Sequence, residues 1–169
     1  ERAVHNTRFF KTGPGEYGEG DRFLGCGLGD VRAVTKTYRR LPLPEVDLLL
    51  DSPLHEHRLA GVILLAQRFP RADAAERAQI LALYLDALAR SAINNWDLVD
   101  ASAAHVLGAG GDEALWSHLA TTGHLWQRRA AAIATFAPLK AGDAGPSLRI
   151  ARILLHDRHD LIHKAVGWV

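Results

Sequence analysis

RLAGV, residues 58–62, decides the architecture, because its pattern of one charged residue followed by small and aliphatic ones returns three times. The returns are DASAA at 100–104, RAAAI at 129–133 and KAVGW at 164–168, at spacings of 42, 29 and 35 residues. An irregular period of this size, carried by apolar residues at helical spacing with two helices per unit, is typical of a HEAT-like solenoid. Such arrays curve, and the equivalent position in each unit lies along one surface. Here that surface would display Arg58, Asp100, Arg129 and Lys164, a cationic strip with one carboxylate in it.

Working outward from these segments, the pattern predicts helices near 30–40, 44–51, 54–69, 73–90, 94–107, 112–121, 124–137, 146–156 and 159–169. Pro42, Pro53, Gly110, Gly111, Gly123 and the run from Gly142 to Pro146 punctuate them. No segment sustains strand alternation with β-branched residues. The predicted fold is therefore all-α: a HEAT-like repeat α-solenoid with a curved, basic concave face, forming a single domain over 1–169. Residues 1–29 differ, because their glycines and the aromatics Phe9, Phe10, Tyr17 and Phe23 read as a structured loop, which leaves 30–169 for the helix pairs. The chain starts at Glu1, contains no methionine and stops at Gly167-Trp168-Val169 without a helix-ending signal, so a piece trimmed at both ends of a longer protein is expected.

Composition narrows the function classes. With 169 residues, 48% of them hydrophobic, the chain can bury one real core. No apolar run approaches the roughly 20 residues of a membrane span. Cys26 stands alone, which fits a reducing cytoplasm, and is expected to be a small buried filler. A formal net charge of +1 is too small for a protein that coats nucleic acid, so any site for a polyanion must come from local clustering.

The stretch NNWDLVD, 94–100, spends a tryptophan and two aspartates where aliphatic residues would suffice for a helix. Asn94 reads as an N-cap with Asp97 as its capping-box partner. Trp96 and Asp100, spaced i,i+4, share a face at the edge of the inward stripe Val99, Ala103 and Val106. Lys164 and Trp168 repeat that spacing beside Leu161, Ile162, Ala165 and Val169. Arg129 falls on the side of Trp126, Ile133 and Phe136, so it is partly buried and needs an anion, either Asp100 or a phosphate. Edge tryptophans usually pack, and Trp116 and Trp126 are assigned to the core. The groups His55-Glu56-His57 and His156, His159 and His163 match no established ligand spacing, so no metal site is assigned and HEHR, 55–58, reads as a helix start leading into Arg58.

Five blocks in order, FFKTGPGEYGEGDRFLG (9–25), SPLHEHRLAGVILL (52–65), NNWDLVD, LWQRRAAAI (125–133) and DLIHKAVGW (160–168), resemble the AlkD family of bacterial DNA alkylation-repair proteins. The resemblance implies a curved repeat protein that holds duplex DNA in a basic cleft and hydrolyses the N-glycosidic bond of cationic alkylpurines such as 7-methylguanine and 3-methyladenine. It also implies that the base stays stacked instead of being flipped. By position, the family's catalytic aspartate falls on Asp100, its cleft tryptophans on Trp96 and Trp168, and its cleft arginine on Arg129. The N-terminal aromatic wall falls on Phe9 or Phe10, with Lys11 beside them. DNA contacts are expected from Arg58, Arg128, Lys164, Phe9, Phe10 and Lys11, and the expected protein is a cytoplasmic, nucleoid-associated monomer that uses no cofactor.

These residue types suit that chemistry on their own terms. A cationic alkylpurine is already a good leaving group and needs no general acid. The sugar it leaves becomes oxocarbenium-like, and a nearby carboxylate stabilises that charge and orients the attacking water. Tryptophan faces attract the developing cation, and basic residues hold the phosphates. The competing class is a HEAT-like module that binds DNA or protein without catalysing anything. A carboxylate facing DNA discriminates between them, since a pure phosphate-binding strip gains nothing from it.

Overall fold

The structure, a computed structural model, describes all 169 residues, and its regular elements are all helices. Its helices are α1 (Arg2–Phe9), α2 (Leu28–Thr37), α3 (Leu43–Leu50), α4 (His55–Arg68), α5 (Ala74–Ala89), α6 (Trp96–Asp100), α7 (Ala103–Gly110), α8 (Glu113–Ala120), α9 (Leu125–Ala134), α10 (Phe136–Lys140), α11 (Gly145–Leu154) and α12 (Asp160–Val166), with a 3-10 turn at Phe69–Arg71. None is long and apolar enough to cross a membrane. The only extended pairing is an isolated bridge between Arg22 and Leu54.

Starts and stops follow local chemistry. Asp73 and Asp112 cap α5 and α8 by accepting the amides of Glu76 and Leu115, each satisfying a donor that the first turn leaves free. Two predicted helices are each divided in two. The 94–107 segment breaks at Ser102, whose hydroxyl bonds the Leu98 carbonyl at 2.6 Å and the buried Tyr84 hydroxyl at 2.9 Å. A serine satisfied in this way competes with the helix ladder, and the break leaves Asp100 as the last residue of α6. The 124–137 segment breaks at Thr135 because Pro138 has no amide to offer the Ala134 carbonyl.

Packing runs from neighbour to neighbour, as expected for an α-solenoid. Helix α4 packs on α2, α3 and α7, α7 on α5 and α9, and α9 on α8, α11 and α12. The core includes Leu50, Leu65, Ile80, Leu88, Ile93, Leu98, Leu107, Ile133, Ile150 and Ile162, all buried, so one continuous apolar seam joins successive helices. Small residues set the closest approach. Ala130, Ala131, Ala132 and Ala134 are fully buried on α9, and a Cβ at Gly108 would lie 2.3 Å from the Ala134 carbonyl oxygen, so α7 and α9 meet at a distance only glycine allows.

The N-terminal segment corrects the expectation of a loop throughout. Residues 2–9, RAVHNTRF, form α1, since the glycines begin only at Gly13. Cys26 is exposed, not a buried filler, because the loop that carries it lies on the surface.

Candidate active site

The site is built where the N-terminal segment folds back over α4 and α6. The first turn of α4 acts as a clamp. The Glu56 carboxylate accepts the amides of Leu24 and Gly25 at 2.9 and 2.8 Å, and the His55 amide donates to the Arg22 carbonyl at 2.8 Å. His55 is buried between two carboxylates, with Nδ1 3.1 Å from Asp21 and Nε2 2.8 Å from Asp97. Both ring nitrogens face acceptors, which requires both to carry protons. Arg58, also buried, donates to the other oxygen of Asp21 at 2.6 Å and to the Ser52 carbonyl at 2.8 Å, and Asn94 donates to Asp21 at 2.8 Å.

Arg58 is thus removed from the expected strip: its charge is spent on Asp21 inside the protein, which corrects its assignment as a DNA contact. Asp97 is not a capping-box residue either. Asn95 caps α6, and the first carboxylate of NNWDLVD, Asp97, serves His55. From sequence, His55 and Glu56 read only as a helix start, and Asp21 was not singled out. The signal available was HEHR itself, a helix start with more charge than a surface turn needs.

Burial opposes the charge on His55, but its hydrogen bonds to Asp21 and Asp97 overcome this and push its pKa up to about 9. Asp21 shifts the other way: burial works against ionisation, but His55, Arg58 and Asn94 hold it below the usual carboxylate range. A raised histidine stabilises the fold fully below its ordinary pKa and loses that contribution as pH rises through the folded value. Between about pH 6.5 and 9 the protein is therefore expected to lose about 3 kcal/mol of stability. Urea midpoints across that range check this, and a profile as flat as that of a His55→Gln variant would remove the ionic clamp.

The clamp supports an aromatic wall. Phe10 stacks on Trp96 with ring centroids 5.5 Å apart and on Phe23 at 5.2 Å, and Phe9 meets Trp96 edge-on at 5.8 Å. Phe23 stacks on the His55 ring at 4.7 Å, so the charged pair beneath fixes the height of the wall. Gly18 closes it from behind, because a Cβ there would lie 2.4 Å from the Phe10 carbonyl oxygen. Phe9 stays more than half exposed, Phe10 and Trp96 are half-buried, and Lys11 is exposed with φ 55°.

In front of the wall lies a cleft of about 490 Å³ whose lining includes Phe9, Phe10, Trp96, Arg32, Cys26 and Asp100. Asp100 is 21% exposed and held bidentately by Arg129, with Nε to Oδ1 at 2.9 Å and Nη2 to Oδ2 at 2.8 Å. Burial pushes its carboxyl above the usual range, and Arg129 works against that shift. Arg129 is buried, donates its third nitrogen to the Leu161 carbonyl, and has the exposed Trp168 ring over its guanidinium at 5.4 Å. Asp100, Arg129 and Trp168 are therefore joined by direct contacts, and Trp96 lines the same cleft as Asp100. With its guanidinium committed in this way, Arg129 holds Asp100 in place. Gly167 caps α12, so Trp168 lies just past the helix and not on its i,i+4 face.

Neither Arg128 nor Lys164 lines the cleft. Arg128 pairs with Asp157 at 2.6 Å and Lys164 with Asp160 at 3.1 Å, the latter pair exposed and contributing little to stability. His159 accepts the Leu161 amide as the N-cap of α12, and His163 meets the Asp157 carbonyl, so both histidines have structural partners. Trp116 and Trp126 are core residues.

The all-helical array thus holds a carboxylate at the edge of an aromatic cleft. The profile of the DNA alkylation repair enzyme family matches residues 1–169, the whole chain, and the protein belongs to that family. Its role is in DNA alkylation repair. No curated protein and no solved structure matches it.

Proposed function

We propose that the protein is a DNA glycosylase that hydrolyses the N-glycosidic bond of cationic alkylated purines, of the 7-methylguanine and 3-methyladenine class, in duplex DNA. The observation that supports this best is Asp100: a carboxylate half-buried in a cleft of aromatic rings, oriented by an arginine that is itself buried. A surface that only bound phosphates would repel them there.

In this reaction the bond between the sugar C1′ and the purine nitrogen breaks, and the base leaves neutral because it began as a cation. The electron pair goes with the base, the sugar takes up the positive charge, and water attacks C1′ and loses a proton. Asp100 stabilises the sugar cation and orients the water. Arg129 is a positioning residue that keeps the carboxylate ionised and fixed. Trp96 and Trp168 offer π faces to the deoxyribose, and Phe9 and Phe10 extend that surface. Lys11, Arg128 and Lys164 hold phosphates, Arg128 by exchanging Asp157 for DNA. The base is left stacked, since an edge cleft of aromatic rings suits a sugar better than a flipped purine.

Single-turnover release of 7-methylguanine from a methylated duplex tests the proposal. Release well above spontaneous depurination is expected. A folded protein that binds the duplex and releases nothing would be a binding module.

A further inference from the structure

A second basic feature lies away from the Asp100 cleft and takes no part in the chemistry above. Between the C-terminal end of α2 and the end of α4, an open groove of about 840 Å³ is lined by Lys36, Arg39, Arg40, Gln67, Arg68, Arg71, Ala72 and Glu76. Five of these are cations and one is a carboxylate, in a chain whose formal net charge is only +1. Glu76 is already taken by Arg68, which also donates to the Leu41 carbonyl. Lys36, Arg39 and Arg40 are exposed and have no carboxylate within ion-pair distance. A helix C-terminus accounts for one cation near its free carbonyls, but not for cations converging on one groove from two separate elements.

Helix α2 connects this groove to the cleft. Leu28 and Arg32 line the cleft and Lys36 lines the groove, so Arg32 and Lys36 stand one turn apart along one helix. From Leu28 to Lys36 the helix rises about 12 Å, or three to four base pairs of duplex at about 3.4 Å each.

We propose that this groove is a second phosphate-binding surface, holding the backbone of the duplex a few base pairs to one side of the lesion. The inference rests on the reading of the protein as one that binds duplex DNA. The groove positions the duplex without touching the reacting sugar, and Arg32 bridges it to the cleft.

The test is the salt dependence of binding to an undamaged duplex of about 20 base pairs, for wild type and for a Lys36→Gln/Arg39→Gln/Arg40→Gln variant. All three side chains are exposed, and a melting curve checks that the variant keeps its fold. Each phosphate contact contributes about 0.9 to the slope of log K against log salt, so the variant is expected to lose about 2 to 3 from that slope. Its single-turnover rate at saturating protein should be unchanged. If the variant keeps the wild-type slope and affinity, the groove does not carry DNA and the inference is overturned, while the glycosylase reading stands. If the wild type itself binds duplex with no salt dependence, both are overturned.

Discussion

Asp100→Asn is expected to lower single-turnover release of 7-methylguanine by 10²-fold or more, the usual cost of removing a key electrostatic stabiliser, while duplex affinity stays near that of the wild type. The amide matches the carboxylate in size and can still accept from Arg129 through its oxygen. It cannot match the charge, and the charge is what the sugar cation meets. Wild type offers an independent measure. Because burial pushes the Asp100 carboxyl above the usual range, the enzyme-dependent rate should fall as pH drops through that raised value, earlier than an ordinary carboxylate would titrate. Equal rates for wild type and variant, in protein whose melting curve shows it folded, would sink the assignment of Asp100 even if DNA still bound.

The contrast between Asp100 and Asp97 shows what could be read from sequence. The i,i+4 relation of Trp96 and Asp100 needs only local geometry, and both line the cleft as that relation implies. Asp97 looked equally local as a cap, yet its partner is His55, 42 residues earlier. Arg58 failed for the same reason. Aligning repeats placed it on a shared surface, but whether an arginine faces outward depends on whether an anion waits inside, and Asp21 comes from a glycine-rich segment with no periodicity to place it. Arg129 differed because the apolar neighbours on its own helix marked it as buried.

Helix positions were similarly legible where local chemistry sets them. The 73–90 prediction meets α5 (Ala74–Ala89), because Asp73 caps it, and 54–69 meets α4 (His55–Arg68), because its apolar residues run from Leu59 to Ala66. The breaks at Ser102 and Thr135 were missed, although Pro138 was visible in the sequence. The Ser102 break also depends on Tyr84, a residue of another helix. Helix α1 was hidden by composition: the glycines that follow it made the whole segment look like a loop.

The largest effect on stability is expected from Asp21→Ala, at about 3 to 5 kcal/mol, the usual cost of removing one partner of a buried ion pair. Asp21 is 8% exposed and accepts from His55, Arg58 and Asn94, so its loss leaves the Arg58 guanidinium buried beside only the Ser52 carbonyl and the Asn94 oxygen. His55 can escape by giving up its proton, but Arg58 cannot. The N-terminal segment would also lose the only carboxylate it contributes to the clamp, which loosens Phe10 and Phe23 over Trp96. Urea unfolding is expected to show a lower midpoint, together with a weaker loss of stability toward pH 9, because the variant retains only Asp97 to raise the His55 pKa. A variant as stable as wild type would mean that the buried charges are relieved by water, and that the aromatic wall stands on packing alone.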